Sequence, residues 1–337
     1  MRVYSNEIVF RGHPDKVCDQ ISAAILKECV KQDRNTRAGI EVAGGKGKIF
    51  ITGEITTKAK YNVEEIAYRV LKDVGYNQHY QIIDNIGKQS SDIALGVDTG
   101  GAGDQGMMFG YACNETPQML PKAMVILQEF AMRYDELRKE LYDFLPDGKA
   151  QITGYYDYNM NLVKIKDFTI SYQNREVIRP FTDEVIKNAA KFICDKYGVE
   201  VERFLINPTG KFQIGGFDGD AGLTGRKIVV DAYQSFANVG GGCMIGKDAT
   251  KVDFSAAHKA RELACRYLKC HDLKWCEVQL SYAIGMAEPL AIYVRTNAGN
   301  IEVDKDTYKE CTPKRIIEDL QLLDVDYEDL AMYGHFR

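Results

Sequence analysis

Several features are missing from this sequence, and each absence excludes a class of protein. No stretch approaches the roughly 18 uninterrupted apolar residues of a membrane-spanning helix, so we expect no membrane protein. Positive charge is not in excess, since 43 Lys and Arg face 48 Asp and Glu. The net charge of -5 argues against a nucleic-acid binder, because affinity for the phosphate backbone comes from surplus Lys and Arg. Any positive charge that serves function must therefore be local.

The nine cysteines are scattered along 337 residues, and none forms a CxxC pair. An odd number of cysteines in a chain of this length is not typical of a disulfide scaffold. We therefore expect reduced thiols and a cytoplasmic protein, and the first residues show no basic-then-apolar pattern of a signal peptide. Cys265, Cys270, His271 and Cys276 lie close together, but their spacing matches no standard zinc pattern, so ordinary thiols are favoured over a zinc site.

Apolar spacing predicts helices mixed with strands, without a regular βαβ rhythm. The predicted helices are 15–32, 62–74, 119–142, 181–197 and 253–269, with another beginning at Pro313. The predicted strands lie within 40–56, 149–156, 160–173, 204–206 and 277–296. Asn62 is expected to cap the second helix, and either Asp253 or Ser255 the fifth. Residues 87–106 are rich in glycine and serine and predict a long loop of the kind that forms a lid. This mixture predicts an α+β protein.

The segment Gly12-His13-Pro14-Asp15-Lys16 admits two interpretations. It is typical of a turn followed by a helix, because proline at the first helical position and aspartate in the first turn are common there. It also brings a histidine, a carboxylate and a lysine to one helix N-terminus, which favours anions and lets Asp15 share a divalent cation with a phosphate.

Two later segments combine glycines with charge. Residues 101–106 place Asp104 after the predicted loop, either as a turn cap or as a carboxylate delivered to a site. Residues 207–227 contain six glycines and end in Arg226-Lys227. That pair suits either a solvated hairpin or a phosphate clamp, in which arginine acts as a bidentate fork and lysine as a compact charge.

Residues 240–253 open with three consecutive glycines and also carry Lys247, Lys251 and Asp253. Any helical turn there would place the two lysines on one face, since they are four positions apart. Together with Lys16, Arg226 and Lys227, they make five cations beside several acids and glycine-rich loops. Such a set is suited to a magnesium-bound polyphosphate in a chain that is acidic overall.

Seven segments, in order along nearly the whole chain, resemble the methionine adenosyltransferase family. They are GHPDK at 12–16, GEITT at 53–57, GAGDQG at 101–106, PDGK at 146–149, GLTGRK at 222–227, GKD..KVD at 246–253 and YAIGMAEP at 282–289. The resemblance implies three structurally related α/β-layer domains in a pseudo-threefold arrangement, with bounds near 1–98, 99–212 and 213–337. It implies that ATP and L-methionine form S-adenosylmethionine, and that the released tripolyphosphate is hydrolysed to phosphate and diphosphate. It further implies two Mg²⁺ per site, K⁺, and self-association as a homodimer or homotetramer with active sites at the dimer interface.

The resemblance also implies a role for each residue at a matching position. Those expected to bind ATP are His13, Asp147, Lys149, Lys211, Phe212, Asp220, Arg226, Lys227, Cys243 and Lys247. Those expected to bind methionine are Glu54, Gln89, Asp220 and Lys251. Those expected to act in catalysis are His13, Lys149, Arg226, Lys227, Lys247 and Asp104. Asp15 and Asp253 would bind Mg²⁺, Glu41 would bind K⁺, and residues 89–103 would form the lid.

The chain departs from the family pattern at several positions. Arg11 replaces a usual glutamate, Phe217 a usual proline, Gln234-Ser235 a glycine pair and Val239 a histidine, and the usual further tail is absent. Arg11 is expected to add positive charge beside the phosphate loop. No residue given a chemical role is lost, so an active transferase is favoured over a non-catalytic regulatory homologue and over another ATP-using enzyme such as a kinase or polyphosphatase.

Overall fold

A computed structural model describes residues 1–88, 100–175 and 179–337. The strands in chain order are β1 (Arg2–Val9), β2 (Arg37–Gly45), β3 (Lys48–Thr56), β4 (Gln81–Gly87), β5 (Gly106–Cys113), β6 (Phe144–Tyr156), β7 (Leu162–Asn174), β8 (Val201–Ile206), β9 (Gly222–Leu223), β10 (Trp275–Tyr282), β11 (Ala291–Thr296) and β12 (Gly299–Ile301). The helices are α1 (Pro14–Gln32), α2 (Val63–Val74), α3 (Lys122–Glu140), α4 (Arg179–Lys196), α5 (Gly216–Gly219), α6 (Ile228–Ala232), α7 (Val252–Cys270), α8 (Lys305–Glu310), α9 (Pro313–Asp319) and α10 (Tyr327–Leu330). Within these ranges no helix is long and apolar enough to cross a membrane.

The strands form three four-stranded sheets, and each sheet packs against helices. The first sheet has the order β1-β6-β7-β8, the second β4-β3-β2-β9 and the third β12-β11-β10-β5. Helices α3 and α4 pack with the first sheet, α1 and α2 with the second, and α7 with the third. The α+β prediction is confirmed.

Each sheet combines distant parts of the chain. Strand β1 pairs antiparallel with β6, β5 pairs with β10, and the two-residue β9 pairs with β2. The last pairing matters most for function, because it joins Gly222 to Gly44 and so brings the 222–227 segment to the sheet that carries Glu41 and Glu54. Two motifs separated by more than 150 residues thereby meet in one sheet.

Local sequence signals account well for the long helices. The Asn62 side chain accepts a hydrogen bond from the Glu65 amide at 3.2 Å and caps α2, and Gly75 ends that helix in the left-handed region at φ 107°. At the start of α7 the expected caps are wrong. Lys251 holds the cap position with extended backbone and no side-chain cap bond, and Asp253 lies inside the first turn. Asp253 is therefore free to use its carboxylate elsewhere.

One of the departures from the family pattern is accommodated by local packing, and another is not. The Phe217 ring is buried directly against Gly44, where a Cβ would lie 2.4 Å from the ring, and it meets Tyr80 edge-on. By contrast, Gln234 and Ser235 adopt φ of 49° and 70°, a region that glycine adopts without strain. The glycine pair expected from the family pattern would fit that backbone better.

Arg11 does not face the phosphate loop, so that expectation is wrong. Its side chain is buried, and it donates to Asp73 at 2.5 Å, to Gln20 at 2.9 Å and to Asp135 at 3.4 Å. These partners come from α1, α2 and α3, so the arginine links three helices behind the site. Its charge is balanced inside the fold.

Candidate functional site

The N-terminus of α1 fixes the chemical form of His13. Its Nδ1 accepts a hydrogen bond from the Asp15 amide at 3.2 Å, which caps the helix. Burial, and then the positive charge of Lys227, lower the pKa of His13 to about 4. The imidazole is therefore neutral near neutral pH. Because Nδ1 is an acceptor, its proton lies on Nε2, which remains a donor for a ligand.

Asp15 is the centre of a charged cluster between α1 and the 222–227 segment. Its carboxylate is almost fully buried, and Oδ1 accepts from the Leu223 amide at 2.9 Å. Lys227 Nζ lies 2.5 Å from Oδ2, and Arg226 Nε lies 3.5 Å from Oδ1. Gly222 permits this approach, because a Cβ there would lie 2.2 Å from a carbonyl oxygen at the start of α1. The structure thus joins the two motifs most suited to phosphate.

A cavity of about 220 Å³ opens beside this cluster. It is lined by His13, Pro14, Asp147, Gly148, Lys149, Phe212, Ile214, Gly215, Gly219 and Asp220. Phe212 and Ile214 offer apolar surface for a planar base, whereas Lys149 adds a cation. Asp147 accepts from the Gly216 amide at 2.7 Å, and burial raises the pKa of Asp147 to about 6. We call this the histidine cavity.

A second cavity, of about 610 Å³, lies on the outer side of the second sheet. It is lined by Gly39, Glu41, Gly53, Glu54, Lys88, Gly103, Asp104, Lys247, Lys251, Asp253 and Ile284. Lys251 Nζ lies 3.1 Å from Glu54 Oε1, and Lys247 forms an ion pair with Asp253. Charges of both signs with an apolar wall suit a zwitterion that has an apolar side chain. We call this the lysine cavity.

Asp15 and Asp253 suit Mg²⁺ that is shared with phosphate. Mg²⁺ usually binds proteins through one or two carboxylates together with substrate phosphates rather than in an all-protein cage. Each of these carboxylates has a lysine ammonium against it, so each already faces a cation. Gly242 leaves space at Asp253, where a Cβ would lie 2.1 Å from Oδ1. Glu41 is an exposed carboxylate on β2 that lines the lysine cavity.

Most of the expected site residues fall into these two groups, and a few do not. Lys211 is exposed, Cys243 lies against Gly225, and neither residue lines either cavity of the described chain. Their proposed contacts with ATP therefore stay predictions. Gln89 lies outside the described residues, as does most of the expected lid. The expectation for Lys16 is wrong, because its side chain is fully buried and pairs with Asp231 at 2.6 Å rather than facing a phosphate.

Sequence reasoning missed three residues of the site region. Asp19 is buried one helical turn after Asp15, and its Oδ1 accepts from the Gly225 amide at 3.0 Å. Burial raises the pKa of Asp19 to about 7. Its position four residues after Asp15 was the available signal, since both carboxylates then share one helix face. Ile284 lies in the matched segment 282–289 but was given no role, and Lys88, which also lines the lysine cavity, carried no comparable signal.

Neither cavity alone holds the complete chemistry. Within the described chain the two cavities have no lining residue in common. The histidine cavity holds groups for a base and phosphates, and the lysine cavity holds groups for an amino acid.

Comparison with known proteins assigns nearly the whole chain to recognised domains. Residues 1–93 match the model of the S-adenosylmethionine synthetase N-terminal domain, 99–212 its central domain and 214–337 its C-terminal domain. The chain is 40% identical to an S-adenosylmethionine synthase of Trichormus variabilis, over 99% of this chain and 91% of that one. It is 39% identical to an S-adenosylmethionine synthase of Thermosynechococcus vestitus, over 99% of this chain and 92% of that one.

Proposed function

Since this chain belongs to the S-adenosylmethionine synthetase family and is a methionine adenosyltransferase, we propose that its two cavities are the two halves of one active site. The observation that carries this proposal is the division of groups between them. The histidine cavity is lined by side chains suited to a base and to phosphates, and the lysine cavity by side chains suited to a zwitterionic amino acid.

The chemistry explains which groups the site needs. A lone pair of the methionine sulfur forms a bond to the ribose C5′ of ATP, while the bond from C5′ to the triphosphate oxygen breaks. The thioether carries no proton, so this step needs no general base. The leaving tripolyphosphate takes the electron pair and carries much negative charge. Electrostatic stabilisation of that group and alignment of the sulfur are therefore the main tasks of the protein.

The leaving tripolyphosphate is the proposed ligand of the cluster around Asp15. Arg226 and Lys227 supply charge, and Lys149 adds a third cation from β6. His13 donates a hydrogen bond from its Nε2–H to an oxygen at the bond that breaks, and it keeps the proton. A neutral histidine suits this task, because it can donate a hydrogen bond while its other nitrogen caps α1. Water then converts tripolyphosphate to phosphate and diphosphate beside the same groups.

Methionine is the proposed ligand of the lysine cavity. Glu54 would accept from its ammonium group, and Lys251 would pair with its carboxylate, so each exchanges its present partner for the substrate. Asp104 would face the ribose and the new sulfonium, whose positive charge it complements. Lys247 would bind phosphate from this side. Asp220, in the histidine cavity, would contact both substrates once the halves meet.

The remaining assignments concern the bound adenosine and cations. Phe212 would stack on adenine, with Asp147, Lys211 and Cys243 around the nucleotide, and Gln89 would complete the methionine site. Asp15 and Asp253 would hold two Mg²⁺, which neutralise phosphate charge when bound, and Glu41 would hold K⁺. These assignments follow the match of motifs, and the carboxylate geometry supports them.

The two halves would meet across a pair of subunits. On the outer face of the second sheet, Ala43 lies directly opposite both Phe50 and Leu223. Phe50 is 39% and Leu223 43% exposed, which makes an apolar strip beside the lysine cavity. We propose that a second copy of the chain covers this strip and that its histidine cavity then lies against the lysine cavity. We further propose a reducing, cytoplasmic setting, since all nine cysteines are free thiols.

A product assay tests this function. The purified chain, incubated with ATP, Mg²⁺ and K⁺, should form S-adenosylmethionine, phosphate and diphosphate only when methionine is added, and it should form no ADP. Formation of ADP would favour a kinase. Absence of S-adenosylmethionine would favour the non-catalytic homologue and contradict the proposal.

A further inference from the structure

Lys16 and Asp231 form an ion pair inside the protein. The lysine side chain has no exposed surface and that of Asp231 is 3% exposed, and Nζ lies 2.6 Å from Oδ2. The two residues are 215 positions apart, on α1 and α6. Neither side chain is open to a ligand, so the pair can act only through its neighbours.

The neighbours are the groups proposed to bind tripolyphosphate. Lys16 directly follows Asp15 on α1, and α6 begins directly after Arg226 and Lys227. The Asp231 amide donates to the Lys227 carbonyl at 2.8 Å, so Asp231 is linked to the end of the phosphate segment by backbone. The pair therefore connects the helix that carries Asp15 to the helix that begins at the two phosphate cations.

Stability alone is a weak reason for such a pair. Removing two charges from water is costly, and well-packed apolar residues of similar volume often stabilise a fold equally well or better. An ammonium–carboxylate contact differs from apolar packing in being directional and short. It fixes the distance between two helices more closely than apolar side chains would.

We propose that Lys16 and Asp231 are positioning residues, which hold α6 against α1 so that Arg226 and Lys227 stay in register with Asp15. This role rests on the proposed function, because it requires that Arg226 and Lys227 bind the leaving tripolyphosphate. Asp15 and Asp19 hold the preceding backbone through the Leu223 and Gly225 amides. The buried pair holds the segment from its other end.

The test replaces the pair with apolar residues in the full chain. In Lys16→Met/Asp231→Leu neither member of the pair is left buried alone. Buried Asp19 loses the attraction of Lys16 and also the repulsion of Asp231, so thermal unfolding should stay close to that of the native chain. Calorimetric binding of inorganic tripolyphosphate with Mg²⁺ should weaken about tenfold, and kcat should fall by about 10- to 100-fold, since small misplacements of catalytic groups have effects of that size. The KM for methionine should change little, because Lys251 and Glu54 are untouched.

A double variant that unfolds like the native chain and keeps native tripolyphosphate binding and kcat would overturn the proposal. If the double variant does not fold, Asp231→Glu decides. It keeps the charge but lengthens the side chain by one methylene, so it should weaken tripolyphosphate binding while the methionine KM stays unchanged, and native binding would overturn the proposal. Arg226→Ala, at a side chain that is 52% exposed, tests the underlying assumption separately. Native tripolyphosphate binding in that variant would refute the phosphate role itself.

Discussion

Replacing Arg11 should destabilise the protein and leave ATP binding unchanged. The arginine is buried, and its three partners differ in what they would lose. Asp73 is 54% exposed and would be solvated again. Asp135 is 6% exposed, but Arg138 at 2.6 Å and Lys139 at 3.0 Å still balance its charge. Gln20 is buried and would lose the donor of its Oε1.

The magnitude follows from these three partners. Removing one member of an isolated buried ion pair costs about 3–5 kcal/mol, and a buried acceptor left without a donor costs about 1–3 kcal/mol. Since Asp135 stays compensated, Arg11→Met should reduce the free energy of unfolding by about 2 kcal/mol, mostly through Gln20. Arg11→Glu would restore the residue usual in the family but place a third carboxylate beside Asp73 and Asp135. Arg11→Glu should therefore reduce the free energy of unfolding by more than about 4 kcal/mol.

Equilibrium unfolding in urea measures the differences, with the ATP KM measured in parallel below the unfolding transition. The control is Lys139→Met, because this side chain pairs with the same Asp135 but is 55% exposed. It should change stability by less than about 0.5 kcal/mol. If Arg11→Glu were as stable as Arg11→Met, the inward network would not be what holds this arginine. A raised ATP KM in Arg11→Met would restore the idea that its charge serves phosphate.

Three further predictions concern pH, backbone strain and substrate binding. Burial lowers the pKa of His258 from 6.5 to about 4. Between these two pH values the unfolded chain binds a proton at this residue and the folded chain does not, so the free energy of unfolding decreases as the pH falls from 6.5 toward 4. Near pH 5 the native chain should therefore have lost about 2 kcal/mol more than His258→Leu, and parallel unfolding curves would contradict this. Gln234 and Ser235 both have positive φ, so replacing them with glycine should raise the free energy of unfolding by about 1 kcal/mol. Calorimetry measures the change, and a lower stability would contradict the idea that this backbone is strained. Lys251→Ala should raise the methionine KM and lower kcat by about 10²-fold, while the binding of inorganic tripolyphosphate stays unchanged. Weakened tripolyphosphate binding would instead place Lys251 among the phosphate ligands.

Local signals predicted those parts of the fold that local interactions determine. Helix α2 has a capping asparagine, an apolar face and a terminal glycine, and all three act where the sequence indicated. Strand β5 was missed because glycine is typical of loops. In the structure Gly110 lies in β5, where a Cβ would lie 2.0 Å from the Ala260 carbonyl carbon, so the residue permits close packing of α7. The reason for a glycine at this position therefore lies in a helix that is remote in sequence.

For the site as well, local sequence signals predicted some features, and contacts between distant residues determined the others. The motif match named the charged residues that line both cavities, apart from Lys88, and their charges indicated the chemistry. The orientation of Lys16 and Arg11 could not be read in the same way, since each side chain is turned inward by carboxylates from other elements. Asp231 lies 215 positions after Lys16, and Asp135 lies 124 positions after Arg11. A cation next to a phosphate motif is thus a phosphate ligand only if no buried carboxylate competes for it.

The most direct test of the central claim is a heterodimer that carries one lesion in each cavity. Two differently tagged chains, one with His13→Ala and one with Lys251→Ala, are co-expressed, and the mixed species is purified through both tags. If each active site combines the histidine cavity of one subunit with the lysine cavity of the other, one site of the pair is intact, and the heterodimer should show about half of the native rate of S-adenosylmethionine formation. If each site belongs to a single chain, every site carries a lesion. Activity that stays at the residual level of the two single variants would contradict the account.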